Sequence, residues 1–181
     1  MNFEPTALDG VWRVRSTPYA DARGSFTRLH CSAAFAALLP GAPRLDFVQT
    51  NLSITRSRGT LRGLHLQRAP AQEWKLVRCL RGRVFDVAAD LRAGSPGYGC
   101  WHAQELSEDE PLALLLAPGV AHGFQALSDD AQLLYQHSAA HVPALEAGVR
   151  YDDPRLAIRW PLPVTLLSPR DAALPHLASS A

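Results

Sequence analysis

The feature that most restricts what this chain can become is the stretch from Asp46 to His137, a succession of short β-type segments separated by tight turns. Phe47 to Ile54 alternates, with Gln49, Asn51 and Ser53 on one face and Val48, Leu52 and Ile54 on the other. Leu61 to Gln67 and Lys75 to Leu80 follow, and Arg81-Gly82-Arg83 turns the chain back into Val84 to Leu91. Cys100 to Leu106, Leu112 to Ala117, His122 to Leu127 and Gln132 to His137 complete the series, the last two joined by the turn Ser128-Asp129-Asp130. Period-2 runs of this length between Gly/Pro turns specify an all-β protein, a jelly-roll sandwich or barrel. Amides and hydroxyls on a strand face ordinarily meet water, so Gln49, Asn51 and Ser53 are expected there unless that face lines a pocket. Asp86 and Asp90, on one face of their strand, are expected to be solvated or to cap turns.

The flanks add only a few short peripheral helices. Val11 to Val14 is extended, Tyr19 to Gly24 turns, and Ser32 is a suitable N-cap for a helix over 33–39 stopped by Pro40-Gly41. Near the end, Ala157 to Trp160 reads as a strand. Ser168-Pro169-Arg170-Asp171 has the form of a helix start, with Ser at N-cap, Pro at N1 and an acid at N3. The tail from about residue 175, and Ala178 to Ala181 above all, is expected to fray. With 181 residues and no linker-like stretch, residues 1–181 are expected to form a single domain.

Charge narrows the partners. Lys plus Arg number 18 against 17 Asp plus Glu, so the positive excess needed to bind nucleic acid as a polyanion is missing. Three cysteines, Cys31, Cys79 and Cys100, without CxxC spacing fit reduced thiols of a cytoplasmic protein rather than a disulfide framework. The N-terminus has no signal-peptide pattern, and no apolar run approaches the roughly 18 residues of a membrane span.

The chemistry concentrates between Gly59 and Lys75. Arg62 is a fixed cation suited to phosphate, His65 can change charge near neutral pH, and Lys75 is a point charge able to steady an oxyanion. Jelly rolls of the cupin type often hold a metal with His-x-His, a later Glu and a further His. Here the second histidine is Gln67, Glu73 does not restore the set, and only His122 follows after Pro118-Gly119, so a metal-free pocket is expected. Taken singly, each residue has a plainer reading. His65 suits a satisfied core or rim histidine, Asp171 a capping carboxylate, Tyr135 a core aromatic, and Lys75 a solvated strand start. Arg62 and His65 are an odd number of residues apart and should point to opposite faces, unless Gly63 marks a bulge or Arg62 reaches around a strand end.

Read together, the motifs resemble the dTDP-4-dehydrorhamnose 3,5-epimerase family of cupin-fold enzymes. They include Asp21 to Gly24, Gln49 to Ser53, Gly59 to Gln67, Lys75 to Arg78, Gly82 to Val87, Pro118 to Phe124, Tyr135, Trp160-Pro161 and Ser168 to Asp171. The resemblance implies an isomerase that takes a dTDP-4-keto-6-deoxy sugar nucleotide and inverts C3 and C5 through an enolate, with no cofactor. It implies His65 as base, Asp171 as its orienting carboxylate, Lys75 as oxyanion cation and Tyr135 as proton donor. It assigns substrate binding to Arg23, Phe26, Arg28, Gln49, Asn51, Arg62, His122, His141, Glu146 and Arg170. It also implies a homodimer in which the region around Arg23 and Phe26 completes the neighbour's pocket. Arg28, His141 and Trp74 depart from the family's usual residues, and Trp74 is expected to reshape the sugar end. Three alternatives stand beside this reading: a mono-epimerase acting on a related 4-keto sugar nucleotide, a non-catalytic sugar-nucleotide-binding cupin, and a metal-dependent cupin.

Overall fold

A computed structural model of the chain describes residues 1–38 and 45–177. Its strands are β1 (Asn2–Pro5), β2 (Val11–Arg15), β3 (Tyr19–Asp21), β4 (Gly24–Phe26), β5 (Gln49–Thr55), β6 (Leu61–Gln67) and β7 (Lys75–Arg81). They continue as β8 (Arg83–Asp90), β9 (Trp101–Ser107), β10 (Leu112–Leu116), β11 (Val120–Ala126), β12 (Ala131–His137) and β13 (Glu146–Gly148). The helices are α1 (Ser32–Leu38) and α2 (Pro169–Ala172), with a 3-10 turn at Pro143–Leu145.

Two antiparallel sheets form a cupin-type jelly-roll sandwich. One has the order β1-β2-β10-β7-β12-β5, the other β13-β6-β11-β8-β9. From β5 to β13 the chain changes sheet at every step except β8–β9, so most consecutive strands face each other across the core instead of pairing. Strands covered on both faces must be apolar on both, which is why β10 reads Leu-Ala-Leu-Leu-Leu without alternation. Leu112, Leu114 and Leu116 point between the sheets with Val77, Val84, Phe124 and Leu133. Ala113 and Leu115 point outward, under Phe35 of α1. The outer face of the other sheet places Leu64, Val87, Ala89 and Ala121 beneath Val149, Leu156 and Trp160.

The β-segments foreseen between Asp46 and His137 are present, to within about two residues at their ends, and several other expectations are corrected. Residues 157–160 form no strand, because Ala157 has a φ of 48°, outside the extended region. Ser32 lies inside α1; Cys31 precedes it, and its carbonyl accepts from the Ala34 and Phe35 amides. The expected end of that helix at Leu39 to Gly41 lies outside the described residues, as does the 178–181 tail. Residues 175–177 are not loose: the Arg150 amide donates to the Pro175 carbonyl, and the Leu177 amide to Asp153 Oδ2 at 2.6 Å. Asp86 and Asp90 are fully buried, Asp86 on His122 and Asp90 on Arg92, so neither is solvated. Asp90 does cap the turn after β8 by accepting from the Arg92 amide.

The parity problem of Arg62 and His65 is resolved by a bulge. His122 pairs with His65 and Phe124 with Arg62, so two residues of β6, Gly63 and Leu64, stand opposite Gly123 alone. The extra residue returns Arg62 and His65 to one side. Only glycine serves here, since φ is +124° and a Cβ would lie 2.5 Å from Gly123 Cα. Gly63→Ala is expected to destabilise the protein by about 2 kcal/mol or more through this overlap. Urea unfolding would measure it, and an unchanged midpoint would contradict the account.

Candidate active site

Between the sheets lies a cavity of about 890 Å³ lined by both walls. The five-stranded sheet contributes Arg62, His65 and Gln67 from β6, His122 and Phe124 from β11, and Glu146 from β13. The six-stranded sheet contributes Gln49, Asn51 and Ser53 from β5, Lys75 from β7, and Tyr135 and His137 from β12. Arg170 and Asp171 close it from α2. His65 and Tyr135 therefore stand on opposite walls.

Asp171 reaches His65 because of the cap foreseen at Ser168. The Ser168 hydroxyl accepts from the Asp171 amide at 3.0 Å, which fixes the first turn of α2 and aims the N3 carboxylate inward. Asp171 Oδ1 then lies 2.8 Å from His65 Nε2, and Oδ2 accepts from the Gly63 amide at 3.0 Å. Burial alone would raise this carboxyl, but the His65 and Gly63 hydrogen bonds outweigh it and hold it below the ordinary carboxylate range. An ionised Asp171 fixes the imidazole with Nε2–H toward the carboxylate and leaves Nδ1 as the basic nitrogen.

Lys75 is buried beside Glu73, with Nζ 3.4 Å from Glu73 Oε1 and 3.5 Å from the His65 carbonyl on the other wall. Tyr135 packs edge-on to His122, centroids 5.5 Å apart, and stacks on His137 at 6.0 Å. Burial, then the nearby Asp86 charge, push its hydroxyl well above the ordinary tyrosine range, with Arg62 opposing. The phenol thus keeps its proton. His122 Nε2 meets the buried Asp86 at 2.8 Å, a second imidazole–carboxylate pair directly across from His65 in register.

The outer part of the cavity is cationic and amide-rich. Arg62 is anchored by Thr55 Oγ1 at 3.3 Å and the Ile54 carbonyl at 3.4 Å. Glu146 is shared between His141 Nε2 at 3.0 Å and Arg170 Nη1 at 2.9 Å. The His141 amide donates to Gln49 Oε1 at 2.9 Å, and Gln49 Nε2 to Asn51 Oδ1 at 3.3 Å. The polar face of β5 thus lines the cavity, with Gln49 and Ser53 half-buried and Asn51 exposed at its mouth. Its apolar face is the exposed one, with Val48 64%, Leu52 54% and Ile54 51% accessible.

Three expected binding residues lie elsewhere. Arg23 and Phe26 belong to the β3–β4 hairpin, where Arg23 pairs with Asp21 at 2.6 Å, and neither they nor Arg28 line this chain's cavity. Trp74 also turns away: between Glu73 and Lys75, which face the cavity, strand alternation sends it outward onto Trp12, centroids 5.7 Å apart. Conversely, Glu73, His137 and Asp86 belong to the site or its support although sequence reasoning gave them no role there. Alternation from Lys75 and Tyr135 places Glu73 and His137 on the same face, a signal present in the sequence; Asp86 needed the β8–β11 pairing. Gln67, at the vacated ligand position, accepts from the Val142 amide at 2.6 Å and donates to Glu73 and to the Ala71 carbonyl. Among the described residues no group of His, Cys, Asp and Glu is arranged to hold a metal.

Comparison with known proteins agrees with this geometry. The family profile described as dTDP-4-dehydrorhamnose 3,5-epimerase matches residues 5–179. A dTDP-4-dehydrorhamnose 3-epimerase of Streptomyces niveus is 44% identical over 94% of this chain and 81% of its own. The dTDP-4-dehydrorhamnose 3,5-epimerase of Escherichia coli is 40% identical over 96% of this chain and 93% of its own. The dTDP-6-deoxy-D-glucose-3,5-epimerase of Legionella pneumophila, solved with dTDP-4-keto-L-rhamnose, superposes with a TM-score of 0.90 at 39% identity, covering 97% of this chain and 92% of that one. Fold, cavity and sequence agree: the chain belongs to the dTDP-4-dehydrorhamnose 3,5-epimerase family.

Proposed function

We propose that this protein inverts C3 and C5 of a dTDP-4-keto-6-deoxyhexose, converting dTDP-4-dehydro-6-deoxyglucose to dTDP-4-dehydrorhamnose. The observation that carries this is the placement of His65 and Tyr135 on opposite walls of one cavity that Lys75 also lines. A carbon α to the C4 ketone is acidic only as its electrons move onto that oxygen. His65 Nδ1 takes the proton, Asp171 balances the imidazolium, and the Lys75 ammonium stabilises the enolate oxygen. Tyr135, kept protonated by burial, returns a proton from the far side, which inverts the centre. No change of oxidation state occurs, so no redox cofactor enters the balance.

Arg62 and Arg170 are the cations for the diphosphate, and Gln49, Asn51, His122, His141 and Glu146 bind sugar and base. Arg170 must leave Glu146 at least in part to meet phosphate. The exposed apolar face of β5 and the protruding β3–β4 hairpin, with Phe26 73% accessible, support a homodimer in which Arg23, Phe26 and Arg28 serve the neighbouring cavity. Light scattering should give twice the chain mass, and Ile54→Asp should reduce it to a monomer; a monomeric wild type would contradict this. Three free thiols suit the reducing cytoplasm.

The relative named a 3-epimerase, 44% identical, favours a second reading in which only C3 is inverted. Proton coupling constants of the product from dTDP-4-keto-6-deoxyglucose separate the two. The rhamno configuration at both centres supports the double epimerase, and C5 left in its starting configuration selects the mono-epimerase.

A further inference from the structure

The only lysine in the sequence is Lys75; every other cationic residue counted among the 18 is arginine. A chain that uses arginine wherever charge alone is needed keeps its one primary amine at a buried position inside the cavity. An ammonium there is costly unless it is paired. Its partner is Glu73, just before β7, whose side chain is only 6% accessible against 10% for that of Lys75.

Glu73 is itself held from several sides. Gln67 Nε2 donates to its Oε2, and His137 Nδ1 lies 3.6 Å from its Oε1. The same Gln67 carboxamide binds the Ala71 and Ala140 carbonyls and the Val142 amide. The carboxylate is therefore clamped between the loop that follows β6 and the segment that carries His141. Strand pairing sets His137 directly opposite Lys75, which places amine, carboxylate and imidazole in one fixed group.

We propose that Glu73 is a positioning residue of the epimerase site, acting through Lys75: its clamped carboxylate fixes the ammonium against the β6 wall and keeps it charged where the enolate oxygen forms. The inference rests on the reading of Lys75 as the oxyanion cation. Other groups also face Lys75: the carboxylates Asp86 from β8 and Glu146 from β13, the His137 imidazole from β12 and the His65 carbonyl from β6. Burial pulls the ammonium below the ordinary lysine range, and of the groups that oppose this Glu73 is the foremost, ahead of Asp86 and Glu146. Without Glu73 the amine loses its proton at lower pH, and the stabilising charge goes with it.

A single lysine makes the test direct, because one ε-methylene resonance reports it in protein labelled with 13C-lysine. In Glu73→Gln its titration midpoint should fall by about one to three pH units. The alkaline limb of solvent-deuterium exchange into dTDP-4-keto-6-deoxyglucose should move down with it, with kcat falling and KM little changed. Glu73→Asp keeps the charge on a shorter arm and should restore part of both, which a merely structural role would not produce. If Glu73→Gln does not fold, the Glu73→Asp midpoint decides. A lysine midpoint unmoved from wild type in the folded variant overturns the inference. Lys75→Ala separates the underlying reading: inactive Lys75→Ala beside an unmoved midpoint condemns Glu73 alone, whereas fully active Lys75→Ala removes the oxyanion role and the inference together.

Discussion

Replacing His65 by alanine is expected to lower the rate of exchange at C3 and C5 by about 10³-fold or more, with stability little changed. The neighbouring imidazole on the same wall is already engaged. His122, directly across in register, is bound through Nε2 to the buried Asp86 on the far strand. General-base removal costs about 10²–10⁴-fold. Asp171→Asn tests the support. The carboxylate serves two donors, His65 Nε2–H and the Gly63 amide, and an amide offers one oxygen for the two. If its NH₂ faces the ring, the imidazole must present a lone pair at Nε2 and carry its proton at Nδ1, where the substrate needs a base. Asp171→Asn should therefore approach His65→Ala in severity, with a normal melting temperature showing that the fold survives. Full exchange in His65→Ala would refute the base assignment.

The second large effect separates exchange from inversion. Tyr135→Phe keeps the ring on His122 and His137 but removes the acid, so His65 still takes and returns protons on its own wall. Deuterium should enter the substrate at C5 while inversion there falls about 10²-fold or more. NMR of the recovered sugar nucleotide reads both at once. Loss of exchange and inversion in equal measure would show that Tyr135 does more than donate a proton.

How much of this was legible in the sequence depended on distance along the chain. The strands and their turns were, because alternation and Gly/Pro punctuation are local. The helix cap at Ser168 was as well, since N-cap, N1 and N3 chemistry lies within four residues. Arg62, His65 and Lys75 stood out by residue type, but their common direction depended on the bulge at Gly63, which exists only once β6 is paired with β11. For the polar face of β5 the sequence left two readings open, water or a pocket wall, for a physical reason. Alternation gives two faces without saying which is covered, and this edge strand turns its apolar side outward. Trp74 illustrates the converse: bulk beside Lys75 suggested a steric role, whereas period 2 sends neighbouring residues to opposite sides. Asp86, whose partner His122 lies on another strand, had no local signal at all.

The central claim is that a base on one sheet and an acid on the other act on the carbons flanking a C4 ketone. It is tested most directly by incubating the protein with dTDP-4-keto-6-deoxyglucose in deuterated water and following C3 and C5 by NMR. The account predicts that deuterium replaces hydrogen at both carbons, that each deuterated centre in the product is inverted, and that His65→Ala does neither. A substrate recovered with both its C3 and C5 protons intact would contradict it.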